Sequence, residues 1–207
     1  MLADSIAVLD FETTGLSPTQ QARATEIGVV IVEGGQIVAR YQSLMNSGAW
    51  VPPFIEQLTG ISNAMLRTAP PAAQVMAEVA DFVGERPLLA HNASFDQKFW
   101  DAELALIRRK RVQPFACSLL LARRLLPMAP SHKLGNLNRW AGLPDTGKAH
   151  RALADAEMAA NLVSFMAALL RERHGIAEVS HQLLCTLQRV PTAKLSQALH
   201  KLREQSC

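Results

Sequence analysis

Two acidic side chains, Asp10 and Glu12, stand directly after the apolar run Ile6-Ala7-Val8-Leu9, and this junction constrains the fold more than any other feature of the chain. A short run of aliphatic and β-branched residues reads as a buried strand. Residues two apart on a strand point to the same side, so both carboxylates face one direction while Phe11 packs the other way. Like charges a few ångströms apart repel, and burying them unpaired is costly. Something positive has to lie between them, and hard divalent cations are the natural partners of oxygen ligands. Taken alone, the pair reads more simply as two solvated acids at a strand end.

The rest of the chain supplies a core for that strand. With 207 residues, 49% of them hydrophobic and 19% charged, one folded domain with a small appendage is expected, long enough to need no disulfide or zinc. Cys117, Cys185 and Cys207 are odd in number and lack CxxC spacing, which suits reduced thiols and a cytoplasmic location. The N-terminal MLADSIAVLDFE carries carboxylates where a signal peptide needs a basic flank, and runs such as Gly28–Val32 and Met166–Leu170 fall short of the ~20 residues of a spanning helix. No membrane partner is expected.

Strands are expected at 5–9, 26–32 and 36–45, the last two joined by a hairpin at Glu33-Gly34-Gly35-Gln36. Pro52-Pro53 opens a helical turn ending near Gly60, and Pro70-Pro71 a helix over 72–83. A short buried strand at 87–90 precedes a helix to about Ile107, capped by Asn92 or Ser94. Phe115–Ser118 reads as a last strand. Helices follow at 119–126, 134–141 and 151–172. The order β-β-β-α-β-α-β-α-α predicts an α/β fold, a mixed five-stranded sheet flanked by helices. Residues 1–173 form the main domain. Residues 174–207 make a C-terminal helical extension, with Leu183, Leu184, Leu187, Leu195, Leu199 and Leu202 inward; it is either a hairpin packed on the main domain or an element that docks a partner.

Two further acids bear on the first pair. Asp96 follows the strand at 88–90 and falls in the first turn of the next helix, where an aspartate also favours the helix dipole. Asp155 lies five residues after His150. Five residues turn about 500° on a helix, so the two converge only if His150 sits in the loop before it, a loop that Gly147 and Lys148 permit. The net charge of +3 is also uneven. From Ala105 to Arg151, ten basic residues (Arg108, Arg109, Lys110, Arg111, Arg123, Arg124, Lys133, Arg139, Lys148, Arg151) face one acid, Asp145. That zone suits either a polyanion or plain solvation.

Asp10-Phe11-Glu12-Thr13-Thr14-Gly15-Leu16 with Glu26-Ile27-Gly28, then His91-Asn92-Ala93-Ser94-Phe95-Asp96, then His150 before Asp155-Ala156, resemble in order the three motifs of the DEDD exonuclease superfamily in its histidine subtype. This DnaQ-like group holds the proofreading epsilon subunit of bacterial DNA polymerase III, ribonuclease T and oligoribonuclease, and the resemblance covers residues 4–170. It implies a ribonuclease H-like fold and 3′-to-5′ hydrolysis of phosphodiesters, releasing nucleoside 5′-monophosphates in proofreading, repair or end trimming. Two ions, Mg²⁺ or Mn²⁺, are implied, held by Asp10, Glu12, Asp96 and Asp155, with Glu12 and His150 catalytic and His150 the general base.

The resemblance also assigns substrate contacts to Thr13, Thr14, Gly15, Leu16, Thr59 and Phe95. The backbone of Thr13 and Thr14 would donate to the terminal nucleotide, and Leu16 and Phe95 would offer apolar surface to bases. Leu58-Thr59-Gly60-Ile61 is similar to a segment lining the nucleotide pocket, with Thr59 where a histidine often stands. Arg108–Arg111 and Arg123-Arg124 would suit upstream phosphates. The implied partners are single-stranded DNA or RNA 3′ ends, DNA favoured, with a DNA polymerase or a second copy as a further partner. Ribonuclease T-like RNA trimming, oligoribonuclease-like activity and a polymerase-bound assembly role stand as alternatives.

Overall fold

The computed structural model describes residues 2–147 and 150–205; Lys148 of the basic zone and Cys207 lie outside them. Five strands, β1 (Ile6–Thr13), β2 (Ala24–Glu33), β3 (Gln36–Leu44), β4 (Leu88–Ala90) and β5 (Phe115–Cys117), form one sheet in the order β3-β2-β1-β4-β5. β1 runs antiparallel to β2 and β2 to β3, whereas β4 and β5 are parallel to β1. The helices are α1 (Pro53–Thr59), α2 (Asn63–Thr68), α3 (Ala72–Val83), α4 (Ser94–Leu106), α5 (Ser118–Leu125), α6 (Leu134–Trp140), α7 (Ala152–His174), α8 (His181–Leu187) and α9 (Leu195–Gln205). The mixed sheet flanked by helices is the α/β architecture expected from the sequence.

Strand alternation divides the core into two layers. On one face Ala7, Leu9, Phe11, Ile27, Val29 and Ile31 pack with α3 and α4. On the other, Ile6, Val8, Val30 and Val32 pack against α7. Asp10 and Glu12 continue the second series, so they leave the sheet on the α7 side. By length and composition α7 could cross a bilayer, with mean hydropathy 1.4 over its most apolar stretch; here it is the central helix of the α7 layer. Its Ala156, Ala159, Ala160, Leu162, Val163 and Met166 are buried.

Three elements differ from the sequence expectation. β1 extends to Thr13 rather than stopping at Leu9, because β2 pairs with it through Glu12↔Glu26 before the register shifts at Thr13. α2 is an additional helix, started by Ser62, whose Oγ accepts the Met65 amide at 3.1 Å. Neither Asn92 nor Ser94 caps α4: Asn92 adopts φ 67° in the turn after β4, and Ala93 stands at the cap without a side-chain bond.

The extension packs on the domain. Leu184, Leu187, Leu195 and Leu199 are buried in the same cluster as Ile6 and Val8. Gln188 accepts the Cys117 amide at 2.6 Å and donates to the Phe115 carbonyl at 3.3 Å, which covers polar backbone on the edge strand β5. His181 Nε2 bonds the Leu88 carbonyl at 2.7 Å.

Gly28 explains how closely α7 approaches. A Cβ there would lie 2.2 Å from the Leu153 nitrogen and 2.3 Å from the Ala152 carbonyl carbon, so helix backbone rests on strand backbone. Gly28→Ala should therefore cost about 3 kcal/mol or more in urea unfolding, at the upper end of overpacking penalties. Gly135→Ala in α6 meets nothing within 4 Å and should be neutral or stabilising by about 0.5–1 kcal/mol.

Candidate active site

Four carboxylates and a histidine converge where β1 and β4 end and α7 begins. Asp10 and Glu12 come from β1, opposite Gly28 and Glu26 of β2. Asp96 is buried in the first turn of α4, and its Oδ1 accepts the Phe11 amide at 3.1 Å. That bond ties the start of α4 to the end of β1. His150 lies in the loop before α7 with φ 61°, a left-handed conformation uncommon for a non-glycine residue. Its amide donates to Asp155 Oδ2 at 3.1 Å. Potential ligand atoms of Glu12, His150 and Asp155 lie within 4.8 Å of one another. A cleft of about 740 Å³ is lined by Asp10, His150 and Asp155 together with Lys133–Asn136, Asn138 and Arg139.

Electrostatics show how strongly the acids oppose one another. Burial, then the charges of Asp96, Asp155, Glu12 and Glu26, hold Asp10 well above the usual carboxylate range. Glu12 is pushed up to about 8 by burial and then by Asp155, Glu26 and Asp96, with Arg151 opposing. Asp96 also reaches about 8 through burial, against hydrogen bonds from the amides of Phe11 and of Asp96 itself. Asp155 is raised by burial and by Glu26, while the His150 amide and ring pull it down. An all-oxygen set of converging acids that resists ionisation fits hard divalent cations, for which Asp10, Glu12, Asp96 and Asp155 are the ligands available.

The sequence marks Glu26 only as part of a motif, yet it is fully buried and anchors the site. Its carboxylate accepts from Arg151 Nη2 at 2.7 Å, from Arg151 Nε at 3.1 Å, from the Ala152 amide at 3.1 Å and from Gln42 Nε2 at 2.8 Å. Glu26 thus grips the residues between His150 and Asp155 and fixes the start of α7. The available signal was an acid inside an aliphatic strand, the same anomaly that singles out Asp10.

The expected substrate contacts divide. Leu16 is 78% exposed. The Thr13 hydroxyl donates to the Gly15 carbonyl at 2.7 Å. The Thr14 amide donates to the Arg23 carbonyl at 2.9 Å, so it is not the free backbone donor expected, and Thr14 Oγ1 accepts the Arg23 amide. Thr59 is buried; its hydroxyl donates to Ile55 and accepts from Ile61, closing α1 rather than facing a ligand. Phe95 is half-buried against Phe99, ring centroids 5.0 Å apart. In the basic zone, Arg109 pairs with Asp81, Arg111 with Asp101 and Arg151 with Glu26, while Arg124 donates to the carbonyls of Val190 and Leu120. These four serve the fold, which corrects the expectation that Arg109, Arg111 and Arg124 are free for phosphates.

Comparison with known proteins places this geometry. The RNase T exonuclease family profile matches residues 7–163. The chain is 31% identical over 179 residues to the DNA polymerase III subunit epsilon of Aquifex aeolicus, covering 86% of this chain and 88% of that protein. It is 36% identical over 155 residues to the 3′-5′ exonuclease DinG of Bacillus subtilis, covering 73% of this chain but 16% of DinG. Among solved structures, exonuclease X in complex with 5′-overhanging duplex DNA aligns with TM-score 0.66 and 27% identity, covering 79% of this chain and 91% of that one. Exonuclease I shares the fold at TM-score 0.72 and 16% identity, over 89% of this chain and 43% of that one.

Two outcomes follow from the charge balance. Glu12 and Asp96 titrate near 8 when folded and near 4 when unfolded. The folded state therefore holds protons that the unfolded state has lost, and stability in EDTA should fall as pH rises from about 4 to 8. Calorimetry should show Tm several degrees lower at about pH 8 than at about pH 5.5, with Mg²⁺ restoring most of the loss at the higher pH. Glu26→Gln keeps the shape but weakens the grip on Arg151, and should lower turnover roughly 10–100-fold, as second-layer partners of metal ligands do.

Proposed function

Because the chain belongs to the RNase T exonuclease family, a family of divalent-metal-dependent phosphodiester hydrolases, we propose that it removes nucleotides stepwise in the 3′-to-5′ direction from single-stranded DNA ends, using two Mg²⁺ or Mn²⁺ ions. The observation that carries this reading is the convergence of Asp10, Glu12, Asp96, Asp155 and His150 at one end of the sheet. DNA is favoured over RNA because relatives named for DNA polymerase III, and exonuclease X bound to DNA, match most of this chain. The match along 88% of an epsilon subunit supports proofreading or repair beside a polymerase.

Asp10, Glu12, Asp96 and Asp155 would hold the cations, which when bound would supply Lewis-acid stabilisation of the phosphate and of the departing 3′-oxygen. The chain's own residues do the rest. His150 stands on a loop at the open side of the acids, where its ring accepts the proton of the attacking water. Its backbone bond to Asp155 sets the reach of that ring. Leu16, exposed beside Thr13 and Gly15, offers the terminal base an apolar surface.

End-labelled DNA and RNA oligonucleotides incubated with the protein and Mg²⁺ or Mn²⁺ should yield mononucleotides from the 3′ end of DNA faster than from RNA. Faster RNA release would favour the RNA-trimming alternative. Asp155→Asn should lose more activity than the roughly 10–100-fold typical of outer partners. Activity that survives Asp10→Ala would refute the site assignment.

A further inference from the structure

The basic zone does not act as one surface. Once Arg109, Arg111, Arg124 and Arg151 are committed to carboxylates and carbonyls, the cations left beside the cleft among the described residues are Arg123, Lys133 and Arg139. Lys133 and Arg139 line the same cleft as Asp10 and Asp155. A second basin of about 560 Å³ adjoins the cleft, with His91 and Lys133 bordering both spaces. That basin is lined by His91, Asn92, Leu119, Arg123, Ser131, His132 and Lys133, with no carboxylate among these residues.

Its geometry is held from below. His91 Nδ1 bonds Ser118 Oγ at 3.0 Å and Nε2 bonds the His132 carbonyl at 3.1 Å. Burial lowers His91 to about 4, against the hydrogen bond to the His132 carbonyl and aided by the charges of His132 and Arg123. The ring is therefore a neutral fixed wall that joins the end of β4 to the 131–133 loop and leaves the basin's charge to Arg123 and Lys133. Both side chains are exposed. A polar, cationic depression continuous with a cluster of acids suits a phosphodiester chain whose reacting end lies on the acids.

Resting on the exonuclease reading above, we infer that this basin is the subsite for the phosphates upstream of the scissile bond, with Arg123 and Lys133 gripping the backbone of single-stranded nucleic acid without reading its sequence. The strand would enter over Arg123, cross Lys133 and present its 3′ end to Asp10 and Asp155.

The test compares the parent protein, Arg123→Gln, Lys133→Gln and the double variant on two substrates. One is a long oligothymidylate; the other is the p-nitrophenyl ester of thymidine 5′-monophosphate, which has no upstream phosphate. Lys110→Gln, in the exposed connection entering β5 from the opposite end of the sheet, is the charge-matched control. The double variant should raise KM for oligothymidylate about tenfold at low salt. It should also flatten log KM against log salt by roughly 0.7 per residue removed. Ester hydrolysis should stay at the parent rate for Arg123→Gln and Lys110→Gln, and any loss in the variants that carry Lys133→Gln should be smaller than their loss on oligothymidylate. An unchanged KM and salt slope, with the parent still degrading oligothymidylate, would overturn the subsite and leave the exonuclease reading intact. Equal loss on the ester would also overturn it, by placing these residues at the reacting bond or in the fold. A parent inactive on both substrates with Mg²⁺ or Mn²⁺ would overturn the exonuclease reading and the subsite with it.

Discussion

Mutual repulsion among carboxylates is the constraint that the rest of the structure answers to. Asp10, Glu12, Asp96 and Asp155 come from three segments far apart in the chain, and the charges of Asp96, Asp155 and Glu12 all raise the cost of ionising Asp10. Such a cluster spreads unless stronger contacts hold its supports. The supports here are backbone: the Phe11 amide on Asp96 joins β1 to α4, and the His150 amide on Asp155 joins the loop to α7. A site built on strand and helix ends keeps its acids close without any side chain having to reach.

Glu26 and Gly28 set the distance between the sheet and α7. Two residues apart on β2, they face the same side as Asp10 and Glu12. Gly28 lets helix backbone touch strand backbone, and Glu26 meets the arginine and amide that start the helix. The Glu26–Arg151 pair is buried on the acid side and about one-third exposed on the arginine side. It therefore adds a further negative charge beside the metal ligands together with the cation that offsets it. A positioning contact and a contribution to the field are the same interaction here.

The basic zone shows how tertiary contacts sort a composition. Ten cations in one window describe a patch on paper. Ion pairs with Asp81, Asp101 and Glu26 take three of them into the scaffold, and main-chain carbonyls take Arg124. Among the described residues, what stays beside the cleft is a short row from Arg123 of α5 through Lys133 to Arg139 of α6.

Much of this was legible in the sequence. The alternation around Ile6–Leu9, the hairpin at Gly34-Gly35 and the proline-led helices define the sheet and its flanks, because strand and helix periods are local properties. The acid motifs name the site, because acids next to aliphatic runs are costly enough to need a reason. Contacts between distant segments were not legible. Nothing local says that the Thr14 amide is spent on Arg23, that Thr59 closes its own helix, or that β1 runs on to Thr13 because β2 pairs with it. The sequence by itself marked the candidate acids and placed Asp10 and Glu12 on one side of a strand. Only the tertiary structure decided which neighbours hold them there and which cations are left over for a substrate, since hydrogen bonds and ion pairs across many residues depend on packing distances that no local pattern encodes.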